Sequence, residues 1–210
     1  MVPTNEELVE ASVVLTVVEP PSVPRLYFWA LQVSFDGGAG AHLGLQWAAD
    51  PPRRMRHVNW GGYRSGGGEL GGSDSALPGS FGNPNTRDFD WEPEHPHRLS
   101  IARDEEGWAG RVDGTLVRRL HARGDVIHTP MVWSEVFADC DHPSVAVRWS
   151  ELEVVTRGGS RLSVDASSTS YQDRGAGGCD NTSSAVDAHG FVQTTSAHRE
   201  APPGTILRLR

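Results

Sequence analysis

Arg25-Leu26-Tyr27-Phe28-Trp29-Ala30-Leu31-Gln32-Val33-Ser34-Phe35-Asp36 is the stretch from which the fold is read. Tyr27, Trp29, Leu31, Val33 and Phe35 fall on one side of an extended chain, and Gln32, Ser34 and Asp36 on the other. That period of two marks a strand with one face in a core. Asp36-Gly37-Gly38-Ala39-Gly40 supplies the glycines that a tight turn needs. The chain then returns through residues 41–48, with Leu43, Leu45 and Trp47 inward and His42, Gly44 and Gln46 outward. Two strands and their turn make a β-hairpin.

Outward from this hairpin the pattern repeats. A strand is expected over residues 55–60, after the stop at Asp50-Pro51-Pro52. Residues 61–86 are irregular and glycine-rich. Residues 98–103, 108–113 and 115–120 read as a meander, joined by Glu105-Glu106-Gly107 and by Asp113-Gly114. Residues 131–138 and 145–154 read as a second hairpin around Asp139-Cys140-Asp141-His142-Pro143, and residues 190–195 and 204–210 as two closing strands. The one helical signal is a turn over residues 5–11, where Thr4 would cap and Glu7 stands three positions on. Many short strands without intervening helices predict an all-β, two-sheet antiparallel β-sandwich of jelly-roll type. Residues 1–156 form the sandwich, and the Gly/Ser-rich segment 157–210 packs on the same domain.

Composition narrows the function classes. The apolar fraction of 37% is low, while 24 glycines and 14 prolines suit short strands and turns. A net charge of −8 argues against nucleic acid as a partner. All 19 basic residues are arginine, so lysine-based Schiff-base chemistry is excluded. The start, Met1-Val2-Pro3-Thr4-Asn5-Glu6-Glu7, is acidic, and the run from Val13 to Val18 is too short for a signal peptide. No apolar stretch approaches a membrane span of about 20 residues. A cytoplasmic protein without a membrane partner is the expectation.

Residues 26–153 resemble the concanavalin A-like lectin/glucanase sandwiches, within them an actinobacterial branch. The resemblance is carried by His42-Leu43-Gly44-Leu45-Gln46-Trp47, Val58-Asn59-Trp60-Gly61-Gly62-Tyr63, His97-Arg98-Leu99-Ser100-Ile101 and Trp108-Ala109-Gly110-Arg111-Val112-Asp113. It implies curved sheets with a sugar or related ligand on the concave face or at loop edges. The Glu-x-Asp-x-x-Glu strand of the laminarinase-like glucanases is absent, and the Arg- and His-bearing strands of the alginate lyases are not evident.

Several groups have chemistry to offer. Met131, Trp133, Glu135 and Phe137 share one face of their strand, and Val132, Ser134, Val136 and Ala138 the other, as in a central strand covered on both sides. Desolvation there would raise the Glu135 carboxyl into acid–base range. Aromatic faces cover the C–H face of a sugar while amides and carboxylates bind its hydroxyls. Gln46, Asn59, Trp60, Asp88, Trp91, Trp133 and Glu135 therefore form a candidate carbohydrate site, with each tryptophan equally at home in the core. The alternatives are a sugar-active hydrolase or lyase pairing Glu135 with Asp88 or Asp90, and a structural or assembly protein. No cofactor is required, although Asn83, Asn85, Asp88 and Asp90 offer the hard oxygens that calcium takes. Cys140 and Cys179 are expected as free thiols, with a disulfide or zinc ligation as alternatives. His95 with His97, and Glu151 with Glu153, are weaker metal and acid–base pairs.

Overall fold

The computed structural model describes residues 6–48 and 55–209, so the Thr4 cap and the Asp50-Pro51-Pro52 stop lie outside the described residues. The strands are β1 (Leu8–Glu19), β2 (Tyr27–Phe35), β3 (Gly40–Trp47), β4 (Arg56–Tyr63), β5 (Gly79–Ser80), β6 (Asn83–Asp88), β7 (Pro96–Asp104) and β8 (Gly107–Val112). They continue with β9 (Thr115–Leu120), β10 (Ile127–Val136), β11 (Val145–Thr156), β12 (Arg161–Ser163), β13 (Ala166–Ser168), β14 (Thr182–Val186), β15 (Phe191–Thr195) and β16 (Ile206–Arg208). One layer runs β10-β2-β3-β4-β6-β5. The other runs β9-β8-β7-β1-β11-β15-β14, with β12 also on β11. A single pairing, Leu8 with Ile127, joins the two layers along their hydrogen bonds. This is the expected all-β, two-sheet antiparallel sandwich.

Hairpin β2–β3 and meander β7–β8–β9 form with the alternation read from sequence. Tyr27, Trp29, Leu31, Val33 and Phe35 are all buried between the layers. Against them lie Val13, Leu15 and Val17 of β1, Leu99 and Ile101 of β7, and Trp149 of β11. Burying side chains of this size contributes about 1.5–3 kcal/mol each.

Four sequence expectations are corrected. Residues 8–11, placed in a helical turn, are the start of β1. That strand pairs with both β7 and β11, so both its edges are filled. The irregular stretch 61–86 contains β5 and most of β6. Residues 131–138 and 145–154 do not pair as a hairpin: β10 belongs to one layer and β11 to the other. Nor is β10 central. It pairs along its length with β2 alone and meets β1 only at Ile127.

The segment 157–210 is built into the sandwich. Strands β12 and β15 pair with β11, and β14 with β15. Cys140 and Cys179 are joined as a disulfide, which corrects the expectation of free thiols. Among the described residues no helix is long and apolar enough to cross a membrane.

One close approach tests the packing. A Cβ at Gly110 of β8 would stand 2.6–2.7 Å from Cγ, Cδ1 and Cδ2 of Trp60. The indole is held there by Nε1 donating to the Trp108 carbonyl at 3.1 Å. Gly110→Ala is expected to destabilise by about 1–3 kcal/mol in urea unfolding, as overpacked cores do. Unchanged stability would show that Trp60 moves aside freely.

Candidate functional site

Cross-strand register turns the outward face of the β10-β2-β3-β4-β6 layer into rows. Glu135, Phe28, Gln46, His57 and Asp88 stand side by side across five strands. The next outward row is Trp133, Ala30, Gly44, Asn59 and Thr86. Beyond it come Met131, Gln32, His42 and Gly61. Between these rows lie the inward ones, such as Ser134, Trp29, Leu45 and Val58. Gln193 ties β10 to the opposite layer on that inner side: its Oε1 accepts from Ser134 Oγ at 2.6 Å and from Trp149 Nε1 at 2.9 Å.

The small residues Ala30 and Gly44 make the floor of the face, since a Cβ at Gly44 would collide with the backbone of Trp29 and Ala30. Around that floor Phe28, Trp133 and His42 meet edge to face, with Tyr63 tilted against His42. Phe28 lies 5.1 Å from Trp133 and 5.4 Å from His42, and His42 lies 5.9 Å from Trp133 and 6.4 Å from Tyr63. Trp133 is oriented by its indole N–H, which donates to Gln32 Oε1 at 2.9 Å. Burial among these rings lowers His42 to about 4, so the imidazole is neutral at neutral pH. The Glu135 carboxyl is raised from the ordinary carboxylate range by desolvation, although its side chain reaches the exposed side of the edge strand.

At the far end of the row, Ser80 Oγ and Asp88 Oδ1 approach His57 at 3.1 and 3.2 Å. Both contact the same nitrogen, Nδ1, whereas a nucleophilic triad places serine and carboxylate on opposite ring nitrogens. Ser80 and His57 are also buried, so the trio is structural. Above it, Phe81 and Gly82 form the two-residue turn of hairpin β5–β6, both with positive φ, 54° and 64°. A bulky residue is strained in that region, and here it holds the Phe81 ring 4.7 Å from His57.

Of the residues singled out from sequence, Glu135, Trp133, Gln46, Asn59 and Asp88 stand in these rows. Trp60 and Trp91 do not. Both are fully buried in the core, with indole N–H groups donating to the carbonyls of Trp108 and Gln46. Glu135 and Asp88 occupy opposite ends of a row, four strand spacings or roughly 19 Å apart at the backbone. A glycosidase couple needs about 5–10 Å, so these carboxylates are not one. Asp90 is beyond β6, 3.9 Å from Arg56.

The candidate calcium oxygens have other partners. Asn83 Oδ1 accepts from the Asn85 backbone N–H, Asn85 Oδ1 accepts from Arg118, and Asp88 turns to His57. The oxygens are engaged separately on a strand rather than gathered in a loop. Nor is His97 a metal ligand: Asp113 lies 2.7 Å from its Nδ1, and its Nε2 accepts from the Glu92 N–H at 3.4 Å. Glu151 pairs with Arg98 on the other layer. Among the described residues no three His, Cys, Asp or Glu side chains are grouped to hold a metal.

Sequence reading passed over Phe28, Gln32 and His42 as site residues, though strand alternation already placed Gln32 and His42 outward. Asn59 sits at the edge of the floor. Its Nδ2 donates to Thr86 Oγ1 at 2.9 Å, while its buried Oδ1 accepts no hydrogen bond.

No protein-family model and no curated protein matches the sequence. Among solved structures, the chain is similar to Scytalido-glutamic peptidase with a peptide-based transition-state analogue, at a TM-score of 0.44 and 10% identity. The match covers 90% of this chain and 93% of that one.

Proposed function

We propose that the outward face of the β10-β2-β3-β4-β6 layer binds a carbohydrate or a related polyhydroxylated chain. One observation carries the reading. Of the five exposed large hydrophobic side chains among the described residues, Tyr63, Phe81, Met131 and Phe137 all border this face. They surround amides, imidazoles and carboxyls: Gln32, Gln46, Asn59, His42 and Glu135. Exposed apolar groups clustered around convergent polar ones mark binding surfaces.

The test is a thermal-shift and binding screen against soluble oligosaccharides. A ligand at about 100 times its Kd is expected to add roughly 2.7 kcal/mol of stability. Trp133→Ala is expected to weaken binding at least about tenfold while leaving the fold intact, because Trp133 stands on an edge strand. A Trp133→Ala variant with parental affinity would place the ligand elsewhere. Absence of any sugar-dependent shift would discard the reading in favour of an assembly role, for which concentration-dependent association is the sign.

A second reading has one observation of its own. Glu135 has a carboxyl raised by desolvation, and the nearest polar side chain in its row is the Gln46 amide, roughly 10 Å away at the backbone. One carboxyl and one amide do not suit glycoside hydrolysis, which uses two carboxyls. They suit hydrolysis of an acyl bond, with Glu135 as general base for water and the amide as donor to the developing oxyanion. Glu135→Gln is expected to abolish turnover of such a bond, in a polymer or peptide, while preserving ligand binding. We assign the protein to an oxidising compartment rather than the cytoplasm, on the strength of the Cys140–Cys179 disulfide.

A further inference from the structure

Resting on the binding face proposed above, we infer that its ligand is uncharged, and that the face rejects polyanions such as sulfated or uronate-bearing chains. The argument comes from where the arginines are. The chain has 19 of them and no lysine, so guanidinium is its one permanent cation for pairing with an anionic ligand.

Among the described residues, none stands in the outward rows. Strand β10 contributes Met131, Trp133 and Glu135, and β2 contributes Phe28, Ala30, Gln32 and Ser34. Strand β3 presents Gly40, His42, Gly44 and Gln46, β4 presents His57, Asn59, Gly61 and Tyr63, and β6 presents Thr86 and Asp88. On β6 the arginine, Arg87, pairs with inward Val58 and falls in an inward row. Four arginines of the opposite layer are matched to carboxylates there and in its loops, and Arg56 of β4 lies in an inward row opposite Trp47. Arg98 pairs with Glu151, Arg103 with Asp125, Arg119 with Asp104, and Arg148 with Asp187.

Among the described residues, these rows would therefore offer an anion two carboxyl side chains, Glu135 and Asp88, and no guanidinium. It would also lose hydration against Trp133, Phe28 and Tyr63 without gaining a charged partner. His42 offers no cation at neutral pH because the same rings exclude its charged form. A neutral polyhydroxylated chain meets none of these costs. It gains ring faces for its C–H groups and amides for its hydroxyls.

The experiment measures binding of the full chain to neutral polymers (dextran, mannan, cellulose oligomers), to polyanions (polygalacturonate, chondroitin sulfate) and to chitosan oligomers. Each is run near neutral pH at about 0.05 and about 0.5 M salt, which spans strong to weak screening. Trp133→Ala reports whether binding is on this face. The expected result is a neutral polymer bound with affinity that changes less than about twofold with salt, lost in Trp133→Ala, and polyanions at least about 100-fold weaker. Met131→Arg, which places a guanidinium on the exposed edge of the face, is expected to confer salt-sensitive polyanion binding. A polyanion bound by the parent and lost in Trp133→Ala overturns the charge inference while leaving the binding face standing. Chitosan alone bound, with steep salt dependence, likewise overturns it. No polymer bound at any charge removes the binding face itself, and the inference with it.

Discussion

Replacing Cys140 and Cys179 together by serine is expected to lower the unfolding free energy by about 4 kcal/mol. The bond spans a sequence separation of 39 residues, and closing a loop of that size removes this much chain entropy from the unfolded state. The loss should appear there rather than in the native geometry, because the same junction is held by other contacts. Asn181 Nδ2 donates to the Cys140 carbonyl at 2.5 Å, and Arg199 Nη2 to the Cys179 carbonyl at 2.8 Å. Ser196 Oγ donates to the His142 carbonyl at 2.5 Å, and the Tyr27 hydroxyl lies 3.0 Å from His142 Nδ1. The reduced parent and the double serine variant should therefore unfold alike in urea, both well below the oxidised parent. A difference under about 1 kcal/mol would mean that the C-terminal strands stay docked in the unfolded ensemble. The bond also lies just past Phe137 and Glu135, so the variant reports on the end of the proposed binding face. Its affinity should fall far less than its stability if the hydrogen bonds hold the turn between β10 and β11.

Sequence resolved some of this architecture and missed the rest for identifiable reasons. The β2–β3 hairpin was legible because one face of each strand is apolar and the other, Phe28 apart, polar or small. Strand β1 was not. Leu8 to Glu19 carries apolar residues on both faces, and such a run has no period to read. In β10 the alternation was read correctly, with Met131, Trp133, Glu135 and Phe137 on one side. Its place in the sheet was not, since an outward apolar residue on an edge strand looks the same in sequence as one covered by protein. Trp60, Trp91 and Trp133 are equivalent as letters. Trp60 falls on the inward side of β4 next to outward Asn59, Trp91 is buried beyond β6, and Trp133 stands outward on the edge strand β10. Sheet order separates Glu135 from Asp88, a distance no spacing along the chain encodes. The Cys140–Cys179 pairing is not legible either, because a separation of 39 residues does not say which sulfurs meet.

Acid should destabilise the protein through His42, by about 3 kcal/mol at pH 4. The unfolded imidazole binds its proton near 6.5, whereas burial among Phe28, Trp133 and Tyr63 holds the folded one at about 4. Between those values the unfolded chain binds more protons than the folded one, so stability falls as pH falls. The contribution is intact above about pH 6.5 and lost through pH 4, at about 1.36 kcal/mol per unit. Glu135 opposes this. Its carboxyl is raised in the folded protein, so it destabilises as pH rises out of the carboxylate range and relieves that cost on acidification. Of the other groups near His42, β2 presents only the uncharged Gln32 and Phe28, and β4 presents Tyr63. His42→Phe keeps an aromatic ring in the cage and removes the proton site. Measured by urea unfolding from pH 7 to pH 4, the variant should lose about 3 kcal/mol less than the parent. Parallel curves would show that His42 takes its proton without leaving the cage, and the neutral centre argued for the ligand face would then hold only well above its titration. Combining His42→Phe with Glu135→Gln should flatten the profile further just above the ordinary carboxylate range, because the two groups act with opposite sign.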